Sequence, residues 1–369
     1  MKRKYAHNLR VLVYADLHVG DRSNGRTYQD AIEAERFITQ LAIEKKVDWV
    51  IFAGDAFKSR NPHDEHKTRW LDARLERENA FLKLGIRQLD VVGNHCRWYK
   101  ADNSGHVFEA LKLQLSSLHV VADQQCTIWS DERVTFHVLP AQVDFKEENW
   151  DFSDPQSVLQ ICVFHGMVKG CPLNQSGTVK ANEGLPIEVL DRPEFDWVAL
   201  GDIHLPSQLD FQHTRGGYVG STLQLDATDV GEKRGCMVIT FEKEASEPFI
   251  EFVSVPQAEL KLLIWDAKES LPDLRSYAGH LLTLRVVNAS ALSSVDLDVC
   301  LDKVRKVVRH LVVVNEVSNI GIAQQDGDVV RTFDDPVEDF GSYLDKLPSL
   351  DESRKTRVLD LLRKEVFNA

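Results

Sequence analysis

The chain has 369 residues and a mass of 41.9 kDa, enough to bury a large core and to hold about two or three folding units. At 43% hydrophobic and 27% charged its composition is that of an ordinary soluble protein, and no apolar run approaches the ~20 residues of a membrane helix. A net charge of -13 and a pI near 5.5 argue against a protein that coats nucleic acid by bulk charge, but leave room for a carboxylate-rich site that holds cations.

The N-terminus is basic, yet its apolar run is too short for a signal segment and Asp16 soon interrupts it. RVLVYAD (10–16) reads as a buried strand, and TYQDAIEAERFITQLAIEKK (27–46) as an amphipathic helix with Ile32, Phe37, Ile38 and Leu41 among its apolar positions. VDWVIFAGD (47–55) is the next strand, a charged helix follows over 63–84, and QLDVVGN (88–94) is a third strand. VLQICVFHG (158–166) and FDWVALGD (195–202) repeat the form, and the β-rich stretch 236–255 closes the region. The alternation predicts an α/β layered domain over residues 1–255.

After Pro256 the texture changes. Strand-like LKLLIWDA, HLLTLRVV and LVVVNEV, with a helix from Ser294 to His310, predict a small α/β unit over 256–320. Residues 321–334 read as a polar linker, and 335–369 as two amphipathic helices. Asp335 caps the first, with Pro336 at its first position and Val337, Phe340, Leu344 and Leu347 along one side. The second carries Val358, Leu361, Leu362 and Val366. Two such short helices cannot bury both stripes by themselves, so they predict docking on something else. The six cysteines are scattered without a C-x-x-C pair, which points away from structural zinc and disulfides and toward a reducing cytoplasm.

Five strand ends share one plan, an apolar run finishing in metal-capable side chains: Asp16-Leu17-His18, Gly54-Asp55, Gly93-Asn94-His95, His165-Gly166 and Gly201-Asp202-Ile203-His204. Each alone has a plain structural reading as a turn cap, a left-handed turn residue or a satisfied core histidine. All of them together would need five coincidences, whereas α/β sheets gather their sites where the carboxyl ends of strands meet. Glycines beside the donors let the chain turn sharply and leave room for ions. Mixed Asp, His and Asn without a thiolate pair suits Mn²⁺, Mg²⁺, Fe or Zn in five- or six-coordinate sites. A set of this size can hold two ions sharing a carboxylate, and a pair ~3.5–4 Å apart is a standard device for in-line displacement at phosphorus.

The series D-x-H, G-D, G-N-H, H and G-x-x-H, in this order and spacing, resembles the calcineurin-like metallophosphoesterase superfamily over about the first 240 residues. GDAFKSRNP and GYVGSTLQLD, with Tyr218, Gly220 and Ser221, are similar to elements of one branch, the SbcD-type nuclease subunits of DNA repair. The resemblance implies a layered β-sandwich core flanked by helices, a small α/β capping domain facing DNA, and a C-terminal helical pair that docks on an SbcC-type SMC-like ATPase. It further implies a homodimer within that complex, two divalent ions (Mn²⁺ first, Mg²⁺ second), and exonuclease and endonuclease activity on DNA. Carried over by motif, Asp16, His18 and His204 hold one ion, Asn94, His165 and Asp202 the other, and Asp55 bridges. His95 becomes a proton donor to the leaving oxygen rather than a ligand.

Two residues depart from the pattern. The family usually has His where this chain has Asp202, and Asp where it has Cys96. Asp is also an oxygen ligand for hard cations, whereas Cys cannot accept a strong hydrogen bond and so removes a support for His95. Arg97, Trp98, Tyr99 and Lys100 follow at once, a basic and aromatic run suited to a DNA strand by phosphate pairing and base stacking, or to a half-buried aromatic anchor. Two other functions use the same motifs: a phosphodiesterase or phosphatase on small nucleotides or phosphoproteins, and a DNA-binding subunit with a degenerate site.

Overall fold

The computed structural model describes residues 4–21, 23–97, 105–109, 119–122, 127–130, 132–141 and 159–315. All of these belong to the unit Met1–Val317. The expected linker at 321–334 and helical pair at 335–369, with every apolar position assigned to docking, lie outside the described residues, as do Trp98, Tyr99 and Lys100.

The first strands explain the architecture. In β1 (Leu9–Tyr14), Leu9, Val11 and Val13 enter one buried cluster while Leu12 and Tyr14 enter another. In β2 (Trp49–Phe52), Trp49 and Ile51 go one way, Val50 and Phe52 the other. Both faces are covered, so the strands read as continuous apolar runs rather than alternating ones. With β3 (Arg87–Val91) and β4 (His119–Ala122) they form a parallel set, extended on the far side by antiparallel β11 (Gly235–Phe241) and β12 (Phe249–Ser254). The sheet order is β12-β11-β1-β2-β3-β4.

A second sheet contains β5 (Thr127–Ser130), β6 (Val134–Leu139), β7 (Leu159–His165), β8 (Trp197–Gly201), β9 (Ser207–Gln208) and β10 (Gly216–Tyr218), ordered β5-β6-β7-β8-β10-β9. Its inner residues Phe136, Ile161, Val163 and Ala199 meet Val11, Val13, Trp49 and Ile51 of the first sheet, closing a β-sandwich. Trp49 and Phe136 stack edge to face across the layers with centroids 4.8 Å apart.

Helices α1 (Tyr28–Glu44) and α2 (Asp64–Leu84) cover the outer face of the first sheet. Thr27 and Asp30 form a capping box at the start of α1, and Gly85, at φ 71°, ends α2 in the left-handed conformation. α2 is charged in sequence, yet Arg74 and Arg77 are buried. Arg74 ion-pairs with Asp90 and, at 3.1 Å, with Glu35; Arg77 donates to the Tyr14 hydroxyl at 2.6 Å. Such charges tolerate burial because every one has a partner. On the second sheet's outer face, α3 (Ile187–Leu190) and the loops around it pack Leu190 and Phe195 on Val198 and Leu200.

A third, wholly parallel sheet, β13 (Leu260–Asp266), β14 (Leu281–Val287) and β15 (His310–Asn315), carries α4 (Ser294–Arg305) on one face. The helix read as running to His310 stops at Arg305, because His310 opens β15 and pairs with Leu281 of β14, and the intervening residues turn the chain back. The sheet is latched to the sandwich by Arg309, whose guanidinium grips the Asp30 carboxylate at 2.5 and 2.9 Å, and by Gln224, whose side-chain oxygen accepts from the Leu260 amide at 2.6 Å. Among the described residues no helix is long and apolar enough to cross a membrane.

Candidate metal centre

Five strands point their carboxyl ends at one spot. Asp16 and His18 follow β1, Asp55 follows β2, and Asn94 and His95 follow β3; His165 ends β7, and Asp202 and His204 follow β8. Asp16, His18, Asp55 and Asp202 hold positive φ values of 50°, 47°, 61° and 96°. Non-glycine residues there cost about 1–3 kcal/mol each, a strain that persists only where the surroundings enforce it. Backbone bonds supply the enforcement: the amides of Asp16 and His18 donate to the Gly54 and Asp55 carbonyls at 2.9 and 3.2 Å.

Two glycines keep the space open. A Cβ on Gly93 would lie 2.2 Å from Asp55 Oδ1, and one on Gly54, itself at φ 102°, would lie 2.1 Å from His165 Nδ1. Neither position accepts a side chain while the donors stay in place.

The donors form three overlapping groups able to hold a metal ion: Asp16, His18 and His204; His18, Asp55 and His95; and Asp16, Asp55 and His165. His18 Nε2 and His204 Nε2 face each other at 3.0 Å. His165 Nε2 lies 3.4 Å from Asp55 Oδ1 and 3.8 Å from Asp202 Oδ1. Asn94 Nδ2 donates to Asp202 Oδ1 at 3.1 Å, and the Asp202 amide donates to Asp16 Oδ2 at the same distance. Thus Asp202 sits among the donors, at the place where Asn94 and His165 meet. Three buried atoms of the cluster, His18 Nδ1, Asn94 Oδ1 and His165 Nε2, have no hydrogen-bond partner.

Electrostatics sort the imidazoles. Burial, reinforced by His204 and His95, lowers His18 to about 3, so it is neutral. Burial likewise lowers His204. Burial also opposes charge on His165, but the carboxylates of Asp55, Asp16 and Asp202 override it and raise His165 to about 10. Burial, with the carboxylates of Asp55 and Asp202, lifts Asp16 well above the usual carboxylate range despite His165. For Asp55 burial loses: the imidazoles of His165, His18 and His95 hold its carboxyl below that range.

Several residues that serve this site carry no sequence signal. The Ala53 carbonyl accepts from His165 Nδ1 at 2.6 Å, and the Lys58 carbonyl from His95 Nδ1 at 2.6 Å. Cys96 does not face His95; it is buried in the core under the helices, where its sulfur accepts from the Ala56 amide at 3.5 Å and burial pushes its thiol up to about 12. The support that a carboxylate at this position would have given His95 comes from Lys58 instead. Tyr218 and Ser221 are scaffolding: the Tyr218 hydroxyl donates to the Gly166 carbonyl at 2.9 Å, and the Ser221 amide to the His204 carbonyl at 3.0 Å. Arg97 is only 5% exposed and bridges to His106 through the backbone, which suits the anchor reading of its run.

Beside Asp202 and His204 opens a cleft of about 670 Å³, bounded by residues 173–176 of the loop after β7 and by Asp226, Thr228, Asp229 and Val230.

The family model of calcineurin-like phosphoesterases matches residues 9–206. The chain is 28% identical over 253 residues to the DNA double-strand break repair protein Mre11 of Methanosarcina acetivorans, a match covering 65% of this chain and 38% of the relative. To the Mre11 of Archaeoglobus fulgidus it is 23% identical, covering 62% of this chain and 52% of the relative. The chain therefore spans about half or less of the length of these relatives. Among solved structures, a dimetal phosphatase from Danio rerio aligns at 12% identity with a TM-score of 0.39, covering 67% of this chain and 99% of that one. The family match takes in β1 through β8 and every donor gathered between the two sheets, and the chain belongs to the calcineurin-like phosphoesterase family.

Proposed function

We propose that the chain is a metal-dependent DNA nuclease that cleaves phosphodiester bonds with two divalent ions, Mn²⁺ or Mg²⁺, held between its two sheets. His165 carries this reading. A carbonyl can only accept, so the bond to Ala53 keeps a proton on Nδ1 and leaves Nε2 as the atom turned toward two carboxylates. Carboxylates crowded around that nitrogen call for positive charge there, which a proton supplies in the empty site and a bound cation would replace, and the buried, unpartnered atoms of Asn94 and His18 belong to the same cluster. In this reading Asp16, His18 and His204 hold one ion, Asn94, His165 and Asp202 the second, and Asp55 both.

The ions supply a lowered water pKa and positive charge for the phosphoryl oxygens. The protein's own part is positional. Asp55 accepts the His95 amide at 2.8 Å, which ties the proton-donating loop to the bridging carboxylate. Lys58 orients the His95 ring through Nδ1, leaving Nε2 to carry a proton to the leaving oxygen. DNA as substrate is supported by the names of the Mre11 relatives. An SMC-like ATPase partner and a homodimer follow from the sequence of the tail and from the SbcD-type resemblance. A reducing compartment suits Cys96, Cys171, Cys236 and Cys300, which are free thiols.

Metal content after loading with Mn²⁺, and digestion of linear duplex DNA with and without the ATPase, test the proposal. About two ions per chain and metal-dependent cleavage are expected. A well-folded chain that binds no ion, or binds two and leaves DNA intact, refutes it.

A further inference from the structure

The cleft beside the donors supports a finer assignment of substrate contacts, which rests on the nuclease reading. At about 670 Å³ it falls within the ~300–1,000 Å³ of pockets that enclose a small ligand. One wall is a ribbon after β7, laced by backbone bonds from Gly170 to Ala181 at 2.8 Å and from Leu173 to Val179 at 2.9 Å. Asn174 stiffens its tip, accepting from the Val179 amide at 3.1 Å and donating to Thr178 at 3.0 Å. The wall is therefore a built surface rather than a loose loop.

Charge decides what such a cleft can take. Arg234, the one cation lining it among the described residues, is 3% exposed and ion-paired with Asp229. The carboxylates of Asp202 and Asp226 line the same space. Beyond the ion that Asp202 would hold, a phosphate chain would meet the Asp226 carboxylate with no free cation beside it among the described residues of the lining. An uncharged planar group would meet Leu173, Leu205 and Val230, with the exposed Gln175 amide at the rim. We propose that this cleft receives the nucleobase of the nucleotide next to the cleaved phosphate, unstacked from its neighbours. Unstacking is easiest at ends and in single strands, so the cleft would favour those substrates.

The test uses the Mn²⁺-loaded full chain, titrated with thymidine 5′-monophosphate and with inorganic phosphate. The parent should bind the nucleotide about tenfold more tightly than phosphate, the worth of burying one apolar face. Leu173→Ala with Gln175→Ala, both at exposed ribbon positions, should lose most of that ratio while keeping its phosphate affinity. Should circular dichroism show that variant unfolded, Ser176→Trp, which fills the cleft from its rim, should give the same loss. Equal affinities in the parent, or an unchanged ratio in the folded variant, overturn the assignment. Hydrolysis of bis(p-nitrophenyl) phosphate, which has no base, separates the two ideas. A parent that hydrolyses it without preferring the nucleotide has a working metal site and no base cleft. A parent that neither hydrolyses it nor binds phosphate refutes the metal reading and this assignment with it.

Discussion

Replacing Asp55 with Asn removes one charge and keeps nearly the same shape. The backbone should tolerate it, since Asn is among the few residues at ease at a φ of 61°. Asp55 Oδ1 lies 3.4 Å from His165 Nε2, and two unit charges at that distance attract by about 5 kcal/mol at an effective dielectric of about 20. That is about 3–4 pK units. In the metal-free variant His165 should therefore fall from about 10 to near or below neutrality, with burial free to push it down. An NMR titration of the imidazole nitrogens reads this directly. After metal loading, the same variant should hold fewer than two ions and lose Mn²⁺-dependent cleavage, because the shared ligand has gone. A His165 titration that does not move, or a variant that keeps two ions and the parental rate, refutes the argument.

Asp202→His should retain metal and activity, whereas Asp202→Ala should lose one ion by elemental analysis, because it deletes the oxygen that meets both Asn94 and His165. His95→Ala should cut the cleavage rate by about 10²–10⁴ with metal content unchanged, and a lost ion would instead make His95 a ligand. Metal affinity should rise with pH: His165, raised to about 10, carries a proton in the metal-free site at neutral pH, and an incoming ion must displace it. Calorimetry in buffers of different ionisation enthalpy should count that proton, and pH-independent affinity with no proton release would contradict it. Cutting the chain near Asp328 should leave metal binding intact and abolish co-purification with the ATPase, and undiminished capture would put the dock elsewhere.

What could be read from the sequence divides along physical lines. Buried parallel strands announce themselves as apolar runs, and their ends as Gly beside Asp, Asn or His, so the donors from Asp16 to His204 are legible in the sequence. The carbonyls of Ala53 and Lys58 were not, because every residue has a carbonyl and only tertiary pairing decides which one meets an imidazole. For Arg97 the run of basic and aromatic residues left two readings open, because burial of a guanidinium depends on partners distant in sequence. The same holds for Arg74 and Arg77: α2 reads as a charged helix, and nothing in it tells which charges are buried, because Glu35 and Asp90, which make that burial tolerable, come from other elements. Cys96 was legible as a departure, but its direction, into the core and away from His95, was not.

The origin of the donors has a mechanical consequence. Asp16, His18, Asp55, Asn94 and His95 belong to one sheet of the sandwich, and His165, Asp202 and His204 to the other. Ions bound there would fasten the two layers along one edge, as a rivet does, while Trp49, Phe136 and their neighbours hold the layers apart at a set spacing. Spacing and chemistry are then a single property of the molecule. A core substitution that lets the layers slide or splay would misplace donors it never touches, and chelation would loosen the seam of the sandwich as well as empty the site.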